Sequence, residues 1–237
     1  MPPLVVLVHS PLLTASTWQP VAAELRRAGF AVTVPDLLAA LAGPSPFYPR
    51  VFGAVAATVG GADDAAPVVL IGHSAAGPLL PGIAGAVGPR VSAAVFVDAR
   101  LPHPGESWAG SLSGERAAHL RDLAQDGWLP AWDSWFPPEA LAELLPDPKV
   151  RQRFRSELPR LPGDLLDEDL PPSPPDWGRI AKSFVQLSDA YLATADDAEA
   201  QGWPVRRHGA DHLAIMTQPT LVSRLLLAQM PGSRPSR

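Results

Sequence analysis

The chain contains no cysteine. Disulfides, thiolate metal sites and a cysteine nucleophile are therefore excluded together. No apolar run approaches the roughly 20 residues that a membrane-spanning helix requires. No cationic segment precedes the first apolar run, so no signal peptide is expected and the expected location is cytoplasmic. Lysine is almost missing: Lys149 and Lys182 stand among 19 basic residues, the rest being arginine. With 24 acidic residues the net charge is −5 and no basic stripe forms, which argues against nucleic acid as a partner. The arginine bias, with abundant alanine and 29 prolines, reads as GC-rich bacterial coding and not as function. No internal repeat is visible at any period.

What is present suits one α/β domain with room for an insertion: 237 residues, 46% of them hydrophobic, and a mean hydropathy of +0.06. Leu4-Val5-Val6-Leu7-Val8 reads as a buried strand. A helix capped by Ser16 or Thr17 runs to Ala28 and stops at Gly29. A strand over Phe30–Val34, a Pro-rich loop and an alanine-rich helix over Arg50–Val59 follow. Val91–Val97 is another buried strand, ending in Asp98. Alternating apolar strands and helices imply parallel pairing with right-handed crossovers. The crevice of such a sheet lies at the carboxyl ends of its strands, where His9, Asp36, Ser74 and Asp98 all fall.

The stretch of greatest chemical interest is Val68-Val69-Leu70-Ile71-Gly72-His73-Ser74-Ala75-Ala76-Gly77. A short apolar run ends abruptly in Gly-His-Ser, and a small-residue helical stretch follows. This predicts strand, sharp turn and helix, with a strained serine at the apex and unpaired helix amides aimed at the same spot. The pattern approximates Gly-x-Ser-x-Gly, with Ala76 in the place of the second glycine and Gly77 one residue late.

From Leu101 to Trp177 the strand patterns vanish, proline is dense, and five of the seven tryptophans occur. Helical pieces are expected after Ser113 and over Glu139–Leu145 and Lys149–Leu158. Such interrupted helices between two sheet strands suggest a cap. Trp128, Trp132, Trp135 and Phe136 are candidates to line an apolar pocket beneath it or to dock it on the body. The sheet resumes over Ser183–Leu187. A helix near Ala193–Gln201, a last strand over Trp203–Arg207, a closing helix over Pro219–Met230 and a frayed tail over Pro231–Arg237 complete the chain.

A serine needs a base to take its proton, and the base needs an orienting carboxylate. His212, after the last strand and before the last helix, is the candidate base. His208 is four residues earlier, but Gly209 argues against the helix that a metal-binding pair at that spacing needs, so no metal is expected. Asp98 and Asp189 are both placed to serve as the acid. Asp36 has a structural role open to it, capping the loop after its strand, and Asp196 and Asp197 fit a solvated helix face.

Leu7-Val8-His9, Gly72-His73-Ser74, Val97-Asp98-Ala99-Arg100-Leu101-Pro102 and Asp211-His212-Leu213, in that order, resemble the α/β-hydrolase family, in its small esterase-like form. The resemblance covers everything but the cap. It implies a mostly parallel sheet of about six strands, the first two of the full fold being absent. It places the core at residues 1–100 and 178–237 and a helical cap at 101–177. It implies a triad of Ser74, His212 and an acid, for which Asp98 is preferred to Asp189. The activity implied is hydrolysis of a small or medium apolar ester, lactone or thioester through an acyl-enzyme, without a cofactor.

Where the family usually has His-Gly-x, this chain has His9-Ser10-Pro11. Proline has no N–H. The oxyanion donors expected are therefore Ala75 N–H with either Leu12 N–H or the Ser10 hydroxyl. Pro11 keeps a second reading open, a lyase, cyclase or cofactor-free rearrangement with His212 as general base. A third is a small-ligand receptor on the same fold.

Overall fold

Six parallel strands form one sheet in the computed structural model, which describes residues 1–60 and 66–230. The first half comprises β1 (Leu4–Val8), α1 (Gln19–Arg27), β2 (Ala31–Thr33), α2 (Leu38–Leu41), α3 (Tyr48–Val59), β3 (Val68–Ser74), α4 (Leu80–Val87) and β4 (Val91–Ala99). A long excursion follows, with α5 (Gly114–Leu123), β5 (Trp128–Leu129), α6 (Pro138–Leu144), α7 (Pro148–Glu157) and β6 (Leu161–Pro162). The chain returns to the sheet with β7 (Ala181–Gln186), α8 (Leu192–Ala200), β8 (Val205–Arg207), α9 (Ala214–Thr217) and α10 (Pro219–Leu227).

The strand order is β2-β1-β3-β4-β7-β8. The chain leaves β1 toward one edge and returns on its other side at β3, so the winding reverses between β1 and β3. A crevice opens at such a reversal. The loop after β1, carrying Ser10 to Leu12, and the turn after β3, carrying Ser74, flank it.

The apolar runs are buried on both faces, as a parallel sheet between helices requires. Val5, Leu7, Val69, Ile71, Val95 and Val97 pack with Val21 and Leu25 of α1 and Val222 and Leu226 of α10. The alternate residues Val6, Val8, Leu70 and Phe96 pack with Val51, Val55, Leu80 and Ile83 of α3 and α4. Each such side chain contributes about 1.5–3 kcal/mol on burial, so the strand ends are held on a stiff base.

Several expected boundaries shift. Neither Ser16 nor Thr17 caps α1; Ala15–Trp18 forms a 3-10 turn first. Pro20 stands in the first turn of α1, and its missing N–H removes one of the donors a cap would serve. The Ser16 hydroxyl donates instead to Glu157 of α7, and the Thr17 hydroxyl to Thr14 O. The strand expected over Phe30–Val34 shortens to three residues. In the excursion two strands appear where none is expected, because a two-residue antiparallel pairing is too short for alternation to register. The expected frayed tail, Pro231–Arg237, lies outside the described residues.

The excursion is tied to the body by a carboxylate. Glu168 accepts from Phe47 N at 2.8 Å and Tyr48 N at 2.9 Å, and from the Ser45 hydroxyl at 2.7 Å. These amides open α3, which has no side-chain cap of its own. A carboxylate there satisfies unpaired donors and complements the helix dipole. Leu141, Leu145 and Phe154 pack with Leu13 and Leu213 from the body.

Candidate active site

Ser74 closes β3 with φ 58°, the left-handed conformation expected of a serine at the apex of a tight strand-to-helix turn. The displaced glycine of the motif has a clear reason here. A Cβ on Gly77 would fall 2.0 Å from the backbone oxygen of Arg100. The Cβ-free position that the turn needs is thus residue 77, and Ala76 fits where it stands, fully buried. Gly77→Ala is expected to cost about 2–3 kcal/mol through overpacking against backbone, and Ala76→Gly about 1 kcal/mol or less. Urea unfolding of the two variants measures the difference.

The loop following β8 brings His212 to Ser74. Its Nε2 is 3.2 Å from Ser74 Oγ, and its Nδ1 is 3.1 Å from Asp98 Oδ2. Asp98 is fully buried and itself has φ 41°. Its carboxylate also accepts from Leu187 N at 2.6 Å, from Ser188 N at 3.1 Å and from the Ser188 hydroxyl. Asp189 is exposed in a 3-10 turn and makes no side-chain hydrogen bond among the described residues. Asp36 accepts from Leu38 N, capping the loop after its strand.

Tyr191 and His73, to which the pattern of strands and motifs assigns no role, also surround the imidazole, as does the expected Trp132. Tyr191 stacks on His212, with centroids 5.1 Å apart and planes at 10°, and burial raises its phenol pKa. It stands five residues past the end of β7, in a turn without periodicity. His73 lies inside the motif, but its role depends on tertiary contact. Its Nε2–H donates to the backbone oxygen of His212 at 2.9 Å, fixing the His212 loop to β3. Trp132 lies 6.2 Å from the His212 ring and also packs on Phe136 and Phe154. Trp128 is apart from these residues: it lies on β5, 41% exposed, and is not part of the cleft beside Ser74.

Two buried histidines are held neutral by desolvation. His9 accepts from Leu37 N at its Nε2, which leaves Nδ1–H to donate to Ser10 O at 2.8 Å. Burial pushes its pKa down, and pushes that of His73 well below the ordinary range, with the His212 ring adding to the effect. In the unfolded chain both would take a proton near pH 6.5. The unfolded state therefore binds more protons below that pH. Stability is expected to be flat above about pH 6.5 and to fall below it, by up to about 1.4 kcal/mol per pH unit for each histidine. Urea midpoints between pH 7.5 and 5 check the direction.

Next to Ser74, Ala75 N–H has no hydrogen-bond partner among the described residues. Leu12 N–H donates to Ser10 Oγ at 3.2 Å, so that amide is engaged within its own loop. A narrow cleft runs from Pro11 and Ala75 past Tyr48 and Arg100 to His103 and Trp108. Its lining is mostly apolar. Among the described residues no cluster of His, Asp and Glu is arranged to hold a metal ion, and no helix is long and apolar enough to cross a membrane.

A parallel sheet carrying a left-handed serine between a strand and a helix, with an imidazole in reach, defines the class. The model of the alpha/beta hydrolase family matches residues 5–225, and the chain belongs to that family of enzymes. Among solved structures it is similar to an extracellular alpha/beta-hydrolase from a Paenibacillus species, with 22% identity, TM-score 0.76, and 97% of this chain and 100% of the other covered. It is also similar to a pyrethroid hydrolase from Sphingobium faniae, with 20% identity, TM-score 0.75, and 99% and 100% covered. A third is methylketone synthase I of tomato in complex with 2-tridecanone, with 18% identity, TM-score 0.72, and 96% and 97% covered. At these identities the likeness establishes the fold. No curated protein matches the sequence.

Proposed function

We propose that the protein is a serine hydrolase that cleaves a small or medium carboxylic ester, lactone or thioester. The observation that carries this reading is the continuous relay from Ser74 Oγ through His212 to Asp98, with neither link longer than 3.2 Å. Ser74 Oγ attacks the substrate carbonyl and passes its proton to His212 Nε2. Asp98 holds the Nδ1–H tautomer and balances the imidazolium charge. The tetrahedral oxyanion takes a hydrogen bond from Ala75 N–H. Collapse expels the alkoxide or thiolate, which takes the proton from Nε2 and leaves an acyl-Ser74. Water, deprotonated by the same nitrogen, then attacks the acyl group and frees the acid.

The second oxyanion donor in this proposal is Leu12 N–H, released when Ser10 Oγ turns away on substrate binding. Residues 101–177 act as a cap over the crevice, a role supported by Trp132 beside His212 and by the cleft between Trp108 and Ala75. Of two proteins similar in fold, one is named a pyrethroid hydrolase and the other, from Arabidopsis, a methylesterase, which agrees with this assignment.

The test is covalent trapping. A fluorophosphonate probe is expected to add to the native protein at Ser74, seen by peptide mass spectrometry. Folded protein with no adduct refutes the nucleophile.

One observation favours a second reading. With Pro11 lacking an N–H and Leu12 N–H engaged by Ser10, only one unoccupied amide faces the oxyanion site, and loss of a donor costs about 10²–10³ in rate. A non-hydrolytic reaction with His212 as general base needs no second donor. Turnover that survives Ser74→Ala but not His212→Ala would select it.

A further inference from the structure

Arg100 follows β4, and its backbone N–H donates to Ser74 O at 3.1 Å, so it stands directly beside the strained turn. Its side chain is half-buried and lines the same cleft as Ala75 and Pro11. The guanidinium spends one nitrogen on Ser111: Nη2 is 2.7 Å from Oγ and 3.3 Å from the carbonyl oxygen. Ser111 Oγ in turn donates to Trp108 O. No other hydrogen bond to this guanidinium exists among the described residues, and no Asp or Glu pairs with it. Tyr48 and His103 line the same cleft, the charge of Arg116 opposes that of Arg100, and burial and Arg100 push the His103 pKa down.

A guanidinium partly withdrawn from water without a counter-charge carries a desolvation cost that an anionic partner would offset. Its remaining donors form a planar fork suited to two oxygens of an anion. Arg27, Arg121, Arg153, Arg179 and Arg207 have carboxylate partners, while Arg50 and Arg151 spend their donors on several backbone oxygens. Arg100, in the cleft next to the nucleophile, has no carboxylate partner.

We propose that Arg100 binds a carboxylate carried by the substrate, so that the preferred substrates are esters or lactones with a second, anionic end. This inference rests on the hydrolytic reading above and names its substrate class. The apolar lining of the cleft receives the carbon chain between the reacting carbonyl and the anionic end. The phenol of Tyr48, which lines the same cleft, offers a further hydrogen bond to it.

The probes are mono-p-nitrophenyl glutarate and p-nitrophenyl butyrate, alike in the reacting ester and differing in the terminal carboxylate. A charge-assisted pair contributes about ten- to a hundredfold in affinity. Wild type is expected to favour the glutarate monoester at least tenfold in kcat/KM, with the difference carried by KM. Arg100→Met is expected to reduce that ratio at least tenfold, and Arg100→Lys to restore part of it. A wild-type ratio near one, or a ratio unchanged in Arg100→Met, overturns the proposal. A second readout does not depend on chemistry: glutarate is expected to raise the melting temperature of Ser74→Ala protein, but not of the Ser74→Ala, Arg100→Met double variant. Stabilisation without hydrolysis of either ester would sink the hydrolytic reading and keep the anion site. Hydrolysis without preference or stabilisation would do the reverse.

Discussion

Ser74→Ala is expected to lower kcat/KM for a p-nitrophenyl ester by roughly 10⁴–10⁶-fold and to abolish fluorophosphonate labelling. The expectation follows from the division of labour in the proposed mechanism. The hydroxyl supplies the bond that splits one difficult displacement into two easier ones, and nothing else in reach of His212 Nε2 is a comparable nucleophile. Tyr191 is close, but burial raises its phenol pKa and makes its oxygen harder to ionise. His212→Ala should cost about as much as Ser74→Ala, and the double variant little more, because a base without a nucleophile has nothing to activate. Steady-state kinetics on the three proteins provide the check. Additive losses would mean that the two side chains act independently. The fold should survive Ser74→Ala, since a smaller side chain at φ 58° introduces no new contact.

Asp98→Asn is expected to reduce kcat/KM by roughly 10⁴-fold, about 5.4 kcal/mol of transition-state stabilisation, while Asp189→Asn changes it less than twofold. Two effects combine at Asp98. An amide at this site, oriented by the amides of Leu187 and Ser188, presents its NH₂ or its oxygen to His212 Nδ1 without a net charge. The imidazolium that forms on attack then loses its counter-ion in a fully buried setting, where charge is most costly to leave unbalanced. Leu187 N and Ser188 N both donate to Oδ1, so an NH₂ placed there would meet two hydrogens, whereas an NH₂ in the Oδ2 position faces His212 Nδ1. Asp189 lies one residue further on, exposed, and solvent screens whatever it contributes. A greater loss at Asp189 than at Asp98 would transfer the acid's role and leave the serine and histidine assignments intact.

The strands that carry this site were readable because each is an apolar run bounded by a breaker. Val68 to Ile71 ends at Gly72, and Leu4 to Val8 at His9-Ser10-Pro11. Runs of this kind become strands between two helical layers whatever the loops do. The short pieces resisted because nothing in them repeats: β5 and β6 have two residues each, and β2 keeps three of the five expected. At the site, Ser74, His212 and Asp98 stand at strand ends or just beyond, where chain order alone suggests a role. Tyr191, Ser188, His73 and Arg100 gave no such signal. Their parts consist of ring stacking, a hydrogen bond across more than 85 residues, or the lack of an ion pair, and none of these has a local pattern.

By itself the amino-acid order determined an alternating parallel architecture and a serine raised at a tight turn, because hydrophobic period, strand length and glycine placement are local and act before the chain closes. The tertiary structure decided which carboxylate meets the imidazole, why the glycine falls at 77, where the Leu12 amide points, and that a guanidinium lies in the cleft without a counter-charge. Each of these depends on distance between residues far apart in the chain, and distance is set by how the layers pack.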